Sequence, residues 1–176
     1  MTWCWCPTRP IRCTRHGHAS IEFHSLSKAY NMPGWRVGFA AGNASAVNAL
    51  RTVKTHTDSG TFAAIQHAAV AALGDTAGYP EHLRNTYRTR MHLLCDGLER
   101  AGLDVLRPDA TFYCLVRCPP GYSSEAFAKR LLEDAAVLGI PATGFGPGGE
   151  GYVRLTVCAD TASIEEAVRR IGAVIW

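Results

Sequence analysis

The pattern of apolar and polar positions becomes regular only from Ile21 onward. IEFHS, at 21–25, predicts a short strand, and GWRVGFAAG, at 34–42, predicts a second strand that begins and ends at glycines. Both segments are apolar on both faces, which is typical of strands inside a sheet. Between them, LSKAYNMP is rich in turn-forming residues and predicts a loop.

Three helices are predicted next, from apolar residues that recur every three or four positions. Asn43 is a suitable N-cap for the first helix, and Gly60 separates it from an alanine-rich second helix. GDTAGYP then interrupts the pattern before a long third helix, which Gly102 ends. The predicted ranges are 44–58, 61–73 and 81–101.

A small α+β unit is predicted after Gly102. Its strands are the apolar segments LDVL, TFYCLV and GYVRLTV, and a Ser or Thr stands near the start of each of its helices. The strands cover 103–106, 111–116 and 151–157, and the helices cover 124–136 and 163–171. The chain thus divides into an irregular leader at 1–20, a segment at 21–78 and a C-terminal small domain at 79–176.

The loop PATGFGPGG, at 141–149, is rich in glycine and allows two interpretations. It precedes a strand and not a helix, and it fits neither GxGxxG nor GxxxxGK[ST]. An irregular crossover that needs residues with positive φ is therefore favoured over a phosphate-binding loop.

Composition and charge exclude several classes of protein. Hydrophobic residues make up 47% of the chain and charged residues 19%, as in ordinary globular domains. The formal charge is +3 and the basic residues do not form a run, so neither nucleic acid nor an anionic membrane is an expected partner. No apolar stretch approaches the ~18 residues that a membrane span needs. Without an apolar segment typical of a secretion signal, a cytoplasmic protein is expected.

The seven cysteines do not predict disulfides or a metal site. Their odd number, without a secretion signal, argues against a disulfide framework. A cluster near the N-terminus lacks the paired spacing of a zinc site, and no metal is predicted there. The other four cysteines are expected to behave as small buried apolar residues. The cluster consists of Cys4, Cys6, Cys13, His16 and His18.

The stretch from Ser25 to Arg36 carries the chemistry that a cofactor site needs. The chain has only three lysines, and a lysine after a strand is usually an ordinary surface residue. Lys28, however, follows Ser25 and Ser27, whose hydroxyls can bind phosphate oxygens. A tight loop between the two strands can bring the planar guanidinium of Arg36 toward the same point. A lysine beside a bound phosphate ester is the arrangement that holds an aldehyde cofactor covalently.

SLSKAYNMPGWRVGF resembles the pyridoxal-phosphate lysine signature of class I/II aminotransferases, of fold type I, and looks closest to the LL-diaminopimelate, aspartate and alanine branch. DSGTFAAIQHAAVAAL, DATFYCLV and FGPGGEGYVRLT are also similar to family segments, in the family's order. The resemblance implies an α/β fold. This would be the C-terminal part of a fold type I transferase, with a piece of the large-domain sheet at 21–78 and a small α+β domain at 79–176.

The resemblance implies roles for individual residues. Lys28 would bond covalently to pyridoxal 5′-phosphate and act as the acid and base of the reaction. Ser25 and Arg36 would bind the cofactor phosphate, with Ser27 as a weaker candidate. Arg154, in the last strand, would bind the substrate α-carboxylate. The implied substrates are an amino acid and a 2-oxo acid, and the implied assembly is a homodimer.

Some assignments stay open. Tyr30, Trp35 and Phe39 either stack on a cofactor ring or pack in a core, and core packing is favoured. His24 is either an acid-base residue or a strand histidine satisfied by its neighbours, and the second is favoured. The segment 61–66 resembles one that reaches the phosphate of a neighbouring subunit. Lyases and synthases share this fold.

The resemblance begins near Ile21, whereas the family places the residues that contact the cofactor ring before its lysine. The chain is therefore expected to be a truncated aminotransferase with half of a site, joined to an unrelated leader. The alternative is a catalytically inactive fragment or interaction module that retains the small domain. Without partner strands, 21–25 and 34–41 are expected to expose apolar surface.

Overall fold

The computed structural model describes residues 20–75 and 77–176. Within these ranges the chain forms two compact units, residues 20–84 and residues 85–176. Residues 1–19 lie outside the described residues. They include the cluster of cysteines and histidines for which no metal was predicted, and all but the last residue of the predicted leader. No helix in the described ranges is both long enough and apolar enough to cross a membrane.

The first unit is a β-hairpin followed by helices. Strand β1 pairs antiparallel with β2, and Asn43 caps α2 by accepting hydrogen bonds from the backbone N–H groups of Ser45 and Ala46. A 3₁₀ turn, Pro33–Trp35, precedes β2. The elements are β1 (Ile21–Ser25), α1 (Leu26–Ala29), β2 (Gly38–Gly42), α2 (Ala44–Thr55), α3 (Ala63–Leu73) and the start of α4 (Tyr79–Arg100).

The second unit contains a four-stranded antiparallel sheet in the order β3-β4-β6-β5. Gly102, with φ of 82°, ends α4 in the left-handed conformation that glycine adopts without strain. Two further 3₁₀ turns, Ala142–Phe145 and Pro147–Gly149, lie before β6. The elements are β3 (Val105–Leu106), β4 (Tyr113–Arg117), α5 (Ser124–Ala135), β5 (Ile140–Pro141), β6 (Tyr152–Thr156) and α6 (Thr161–Ile171).

The hydrophobic core lies in the second unit. Alternate residues of β4 and β6, among them Val116 and Val153, are buried against α5 and α6, where Phe127 and Ile171 are also fully buried. The opposite face of the sheet is left for other contacts, as expected for an antiparallel sheet with one buried face. Ten of the sixteen buried members are Leu94, Leu98, Leu103, Val116, Phe127, Leu131, Val153, Leu155, Ile164 and Ile171.

The first unit buries much less apolar surface. Its buried apolar side chains, among the described residues, are Leu26, Ala69 and Leu83. Phe23 is 56% exposed on β1, and Phe62 and Val70 are 73% and 68% exposed on or beside α3. The two strands that were expected to lie inside a sheet thus form an isolated hairpin with apolar side chains in solvent.

The structure corrects the predicted loop between the first two strands. Residues 26–29 form α1, and the second strand begins at Gly38 because Pro33–Trp35 is a 3₁₀ turn. The physical reason is local. Ser25 caps the turn with its side chain, and Leu26 is buried beneath it. Strand β5 was also absent from the prediction, since two residues are too few to show a period.

Two of the four cysteines that were expected to be buried are buried. Cys95 and Cys114 are 1% and 2% exposed, whereas Cys118 is half-buried and Cys158 is exposed. A hydrogen bond with Cys95, together with burial, raises the pKa of the Cys114 thiol well above its usual value. Cys114 therefore stays a neutral core residue at pH 7.

Candidate active site

The lysine segment is held by the end of β1 and by α1. Ser25 is the N-cap of α1, and its Oγ accepts a hydrogen bond from the Ser27 backbone N–H at 3.2 Å. Leu26 anchors the turn, because its side chain is 1% exposed. Lys28 follows in the last turn of this short helix and is exposed. Its backbone is thus fixed by a capped turn and a buried leucine, not by a loose loop.

Arg36 returns to the same end of the hairpin. The Leu26 backbone N–H donates to the Val37 carbonyl at 3.2 Å. Arg36 therefore directly precedes a residue that is hydrogen-bonded to the first residue of α1. Its φ of 50° lies in the left-handed region, and its Nη1 donates to the Pro33 carbonyl at 3.0 Å. Within residues 20–75 and 77–176, no carboxylate forms an ion pair with Arg36.

These donors suit an anion that has several acceptor oxygens. The Ser25 hydroxyl uses its oxygen as the cap acceptor and keeps its O–H as a donor. Lys28 and Arg36 add two cationic side chains to the segment that connects β1 and β2. A phosphate group has the charge and the geometry that such a set binds. The structure therefore holds Ser25, Ser27 and Lys28 in and beside one capped turn, and a backbone hydrogen bond joins that turn to the residue after Arg36.

A concavity of about 810 Å³ lies between the hairpin and α2. Arg36, Phe39 and Leu50 line it, and Lys54 lies on its wall in an ion pair with Asp58 at 2.6 Å. That ion pair and the Gly60 backbone N–H lower the pKa of Asp58. Lys54 is thus already neutralised by a carboxylate, unlike Arg36.

His24 is satisfied by its neighbours, as the favoured interpretation predicted. Its ring stacks on Phe39 with centroids 5.0 Å apart, and its Nε2 lies 3.2 Å from the Glu22 carboxylate. Phe39 is therefore in contact with a strand neighbour, while Trp35 is 47% exposed. Neither contact calls for an acid-base role at His24.

Arg154 lies in the second unit, on the face of the sheet that points away from the core. Its neighbours along β6, Val153 and Leu155, are 0% and 5% exposed on the core face, so Arg154 projects to the other side. Its Cζ lies 4.1 Å from the ring centroid of Tyr113 and 3.9 Å from that of Phe145. All three residues line a concavity of about 570 Å³.

The surroundings of Arg154 differ from those of other arginines in the second unit. Arg107 is bound by two carboxylates of α4, Arg117 by Asp104, and Arg169 by Glu166. Among the described residues, no carboxylate pairs with Arg154, and its guanidinium contacts two aromatic rings. A half-buried arginine without an acidic partner can bind an external carboxylate.

Sequence reasoning missed Tyr113 and Phe145. The available signal was their position along the chain: Tyr113 lies in a predicted strand of the small domain, and Phe145 lies in the glycine-rich loop just before the Arg154 strand. That loop forms two 3₁₀ turns, in keeping with the favoured crossover interpretation. Across the described residues, no three His, Cys, Asp or Glu side chains are arranged to hold a metal ion.

Comparison with known proteins identifies the family. The sequence profile of aminotransferase class I and II matches residues 9–171. The chain belongs to this aminotransferase family. It is 45% identical over 155 residues to LL-diaminopimelate aminotransferase of Syntrophobacter fumaroxidans, covering 88% of this chain and 40% of the relative. It is also 45% identical over 152 residues to the enzyme of that name from Aquifex aeolicus, covering 86% of this chain and 39% of the relative.

Solved aminotransferases share its fold. An aminotransferase from Staphylococcus aureus superposes with a TM-score of 0.80 at 38% sequence identity, over 86% of this chain and 40% of that structure. The α/β structure of this chain is thus part of an aminotransferase fold, as predicted. The chain spans about two fifths of the length of the relatives it matches.

The family match corrects one boundary. The resemblance was expected to begin near Ile21, but the aminotransferase profile already matches from residue 9. Part of the segment interpreted as an unrelated leader therefore belongs to the region that resembles the family. Irregular composition over so short a stretch is a weak indicator of where a related region begins.

Proposed function

We propose that the protein is a pyridoxal 5′-phosphate-dependent aminotransferase that moves an amino group between an amino acid and a 2-oxo acid. The observation that carries the proposal is the hydrogen bond from the Leu26 backbone N–H to the Val37 carbonyl, which joins the turn that contains Lys28 to the segment that contains Arg36. Membership of the aminotransferase family supports it. The proposal concerns the activity of a whole aminotransferase. This chain spans about two fifths of the length of such relatives.

The residues present fit the cofactor's phosphate and aldehyde. Arg36 has no carboxylate partner in the described part of the chain, and Ser25 retains a hydroxyl donor, so a phosphate meets no competing internal anion there. Ser27 adds a second hydroxyl one residue before the lysine. The amine of Lys28, close in sequence to these donors, can bond to the aldehyde of the same molecule.

Each residue has a distinct task in the proposal. Ser25, Ser27 and Arg36 bind and orient the cofactor phosphate. Lys28 would hold the cofactor covalently and, once the substrate amine had replaced it, its Nζ would take up and return the proton at the substrate α-carbon. Arg154 binds the α-carboxylate of the amino acid or oxo acid. The bound cofactor supplies the electron sink that makes the α-proton removable.

The names of the relatives suggest the first substrate to test. Two relatives at 45% identity are LL-diaminopimelate aminotransferases, so LL-diaminopimelate is proposed as the amino acid. An α-carboxylate is common to every amino acid substrate, and Arg154 therefore does not choose among them. The proposal also includes a homodimer, which the family resemblance implied, and a cytoplasmic location, which was expected from the residue pattern of the chain.

A second candidate is a non-catalytic protein that retains the small domain. The observation that favours it is the uneven core: the buried cluster lies between Leu94 and Ile171, outside the unit that carries Lys28. A poorly packed hairpin holds its side chains less firmly, and catalysis needs firm placement.

A turnover assay separates the two candidates. The purified chain is incubated with pyridoxal 5′-phosphate, LL-diaminopimelate and 2-oxoglutarate, and glutamate is measured. The first candidate predicts glutamate formation that Lys28→Ala abolishes and Lys129→Ala preserves, since Lys129 is exposed on α5 beside Glu133. Absence of glutamate in the unaltered chain rejects the first candidate for this chain and favours the second.

A further inference from the structure

Two aromatic side chains surround the guanidinium of Arg154. Its Cζ lies over the ring of Tyr113 at 4.1 Å and over the ring of Phe145 at 3.9 Å, measured to the centroids. Both distances are well inside the range at which a cation is attracted to an aromatic face. Such contacts attract the charge without using any N–H donor of the guanidinium.

The register of β4 with β6 fixes the position of Tyr113 relative to Arg154. Arg154 is paired with Leu115 of β4, and Tyr113 stands two residues before Leu115. Residues in this diagonal relationship lie on the same face of an antiparallel pair, within reach of long side chains. Tyr113 is therefore aligned with Arg154 by backbone hydrogen bonds and not by a flexible loop.

The glycine-rich loop places Phe145. Phe145 ends the 3₁₀ turn that begins at Ala142, and the following residues fold back on that turn. A Cβ at Gly149 would lie 2.1 Å from the Ala142 carbonyl oxygen, so the loop closes only with glycine there. The buried hydroxyl of Ser124 accepts the backbone N–H of Gly151 at 2.9 Å and fixes the end of the loop.

We propose that Tyr113 and Phe145 are positioning residues that hold the guanidinium of Arg154 for a carboxylate ligand. The proposal rests on the carboxylate-binding role of Arg154 in the proposed function. An arginine side chain loses much conformational freedom when it binds, and rings that restrict it beforehand reduce that loss. The N–H donors, which the rings do not use, stay available to the carboxylate oxygens.

The test measures binding by the full chain without cofactor, and it does not depend on turnover. The Nε–H signal of Arg154 is observed by ¹⁵N-resolved NMR, assigned by its loss in Arg154→Lys, and titrated with pyruvate. Removing one ring, in Phe145→Leu or Tyr113→Leu, is expected to weaken pyruvate binding by about two- to fivefold and to shift the Nε–H signal. Phe145→Tyr keeps a ring and is expected to restore the affinity.

Controls distinguish positioning from general damage. Phe145 is 60% exposed, so Phe145→Leu is expected to leave the midpoint of thermal unfolding nearly unchanged. Leu138→Ala removes another exposed apolar side chain, 72% exposed and outside the concavity, and is expected to change neither the signal nor the affinity. Equal pyruvate affinity in the parent and both Leu variants overturns the positioning role alone. Pyruvate binding that is absent, or that survives Arg154→Lys unchanged when it is read from the methyl signal of pyruvate, overturns both this role and the proposed task of Arg154.

Discussion

At the scale of the residue, Ser124 shows how one buried side chain organises a segment of backbone. It is 0% exposed at the start of α5. Its Oγ accepts the backbone N–H groups of Gly151 at 2.9 Å and Tyr152 at 3.2 Å, and lies 3.4 Å from the Gly149 carbonyl. The hydroxyl thus connects α5 to the loop that enters the Arg154 strand.

Ser124→Ala is expected to lower the free energy of unfolding of the second unit by about 1–3 kcal/mol, because buried donors lose their acceptor. Urea unfolding followed by circular dichroism measures the change. Ser163→Ala serves as the matched control. Its hydroxyl donates to Asp160 at 2.9 Å on an exposed turn, and the expected change is within about 0.5 kcal/mol. Equal effects of the two substitutions would contradict the role assigned to Ser124.

At the scale of the element, the contact between α4 and α6 depends on a missing side chain. Gly97 is buried within α4, and a Cβ there would lie 2.2 Å from Cγ1 and 2.7 Å from Cγ2 of Val168. Valine has one strongly preferred rotamer in a helix, so its methyl groups have little room to move away. The two helices therefore approach closely because residue 97 has no side chain.

Gly97→Ala is expected to destabilise the protein although alanine is the better helix former. The overpacking cost of about 1–3 kcal/mol exceeds the gain of up to about 1 kcal/mol in helix propensity. Thermal and urea unfolding measure the change. The double variant Gly97→Ala/Val168→Ala restores the space. Its loss of unfolding free energy should therefore be smaller than the sum of the two single losses by about 1 kcal/mol or more. Additive losses of unfolding free energy would show that the side chains at positions 97 and 168 do not contact each other.

Most elements could be predicted from the sequence, because their causes are local. Asn43 caps α2 and Gly102 ends α4 where the pattern indicated, and the strands that carry Cys114 and Arg154 show regular alternation. α1 could not be predicted, since its four residues depend on the burial of Leu26. The two 3₁₀ turns before β6 depend in the same way on backbone contacts within the loop.

The candidate site was predictable only in part. Ser25, Ser27, Lys28 and Arg36 stand close together in sequence, and a resemblance to a family signature draws attention to them. The rings beside Arg154 come from separate segments, and their approach depends on the register of β4 with β6 and on a compact loop. Neither register nor loop closure shows as a period in the sequence, so the only signal for Tyr113 and Phe145 was their position along the chain.

At the scale of the whole molecule, the buried apolar side chains are unevenly distributed. The core cluster lies between Leu94 and Ile171, whereas the first unit exposes Phe23, Phe62 and Val70. Folding free energy comes chiefly from buried apolar surface, so the second unit has the larger share of it. Exposed apolar side chains and an isolated hairpin favour association with other polypeptide surface.

A fragment of residues 79–176 is therefore expected to fold alone, with a cooperative urea transition and dispersed amide NMR signals. This fragment keeps α4 whole together with the core cluster. A fragment of residues 20–78 is expected to show neither property and to bind hydrophobic dyes. A cooperative transition in the shorter fragment, or none in the longer one, would contradict the predicted division at residue 79.

The central claim is that Lys28 is the amine that receives the cofactor, and covalent capture tests it most directly. The full chain is mixed with pyridoxal 5′-phosphate and treated with borohydride, which makes a bond between lysine and aldehyde permanent, and the peptides are mapped by mass spectrometry. The chain has only three lysines, so label on each can be assigned to a different peptide. The account predicts label at Lys28 well above Lys54 and Lys129, because Lys28 follows Ser25 and Ser27, whose hydroxyls can bind the phosphate of the same molecule. Equal label on all three lysines, or no label at Lys28, would contradict it.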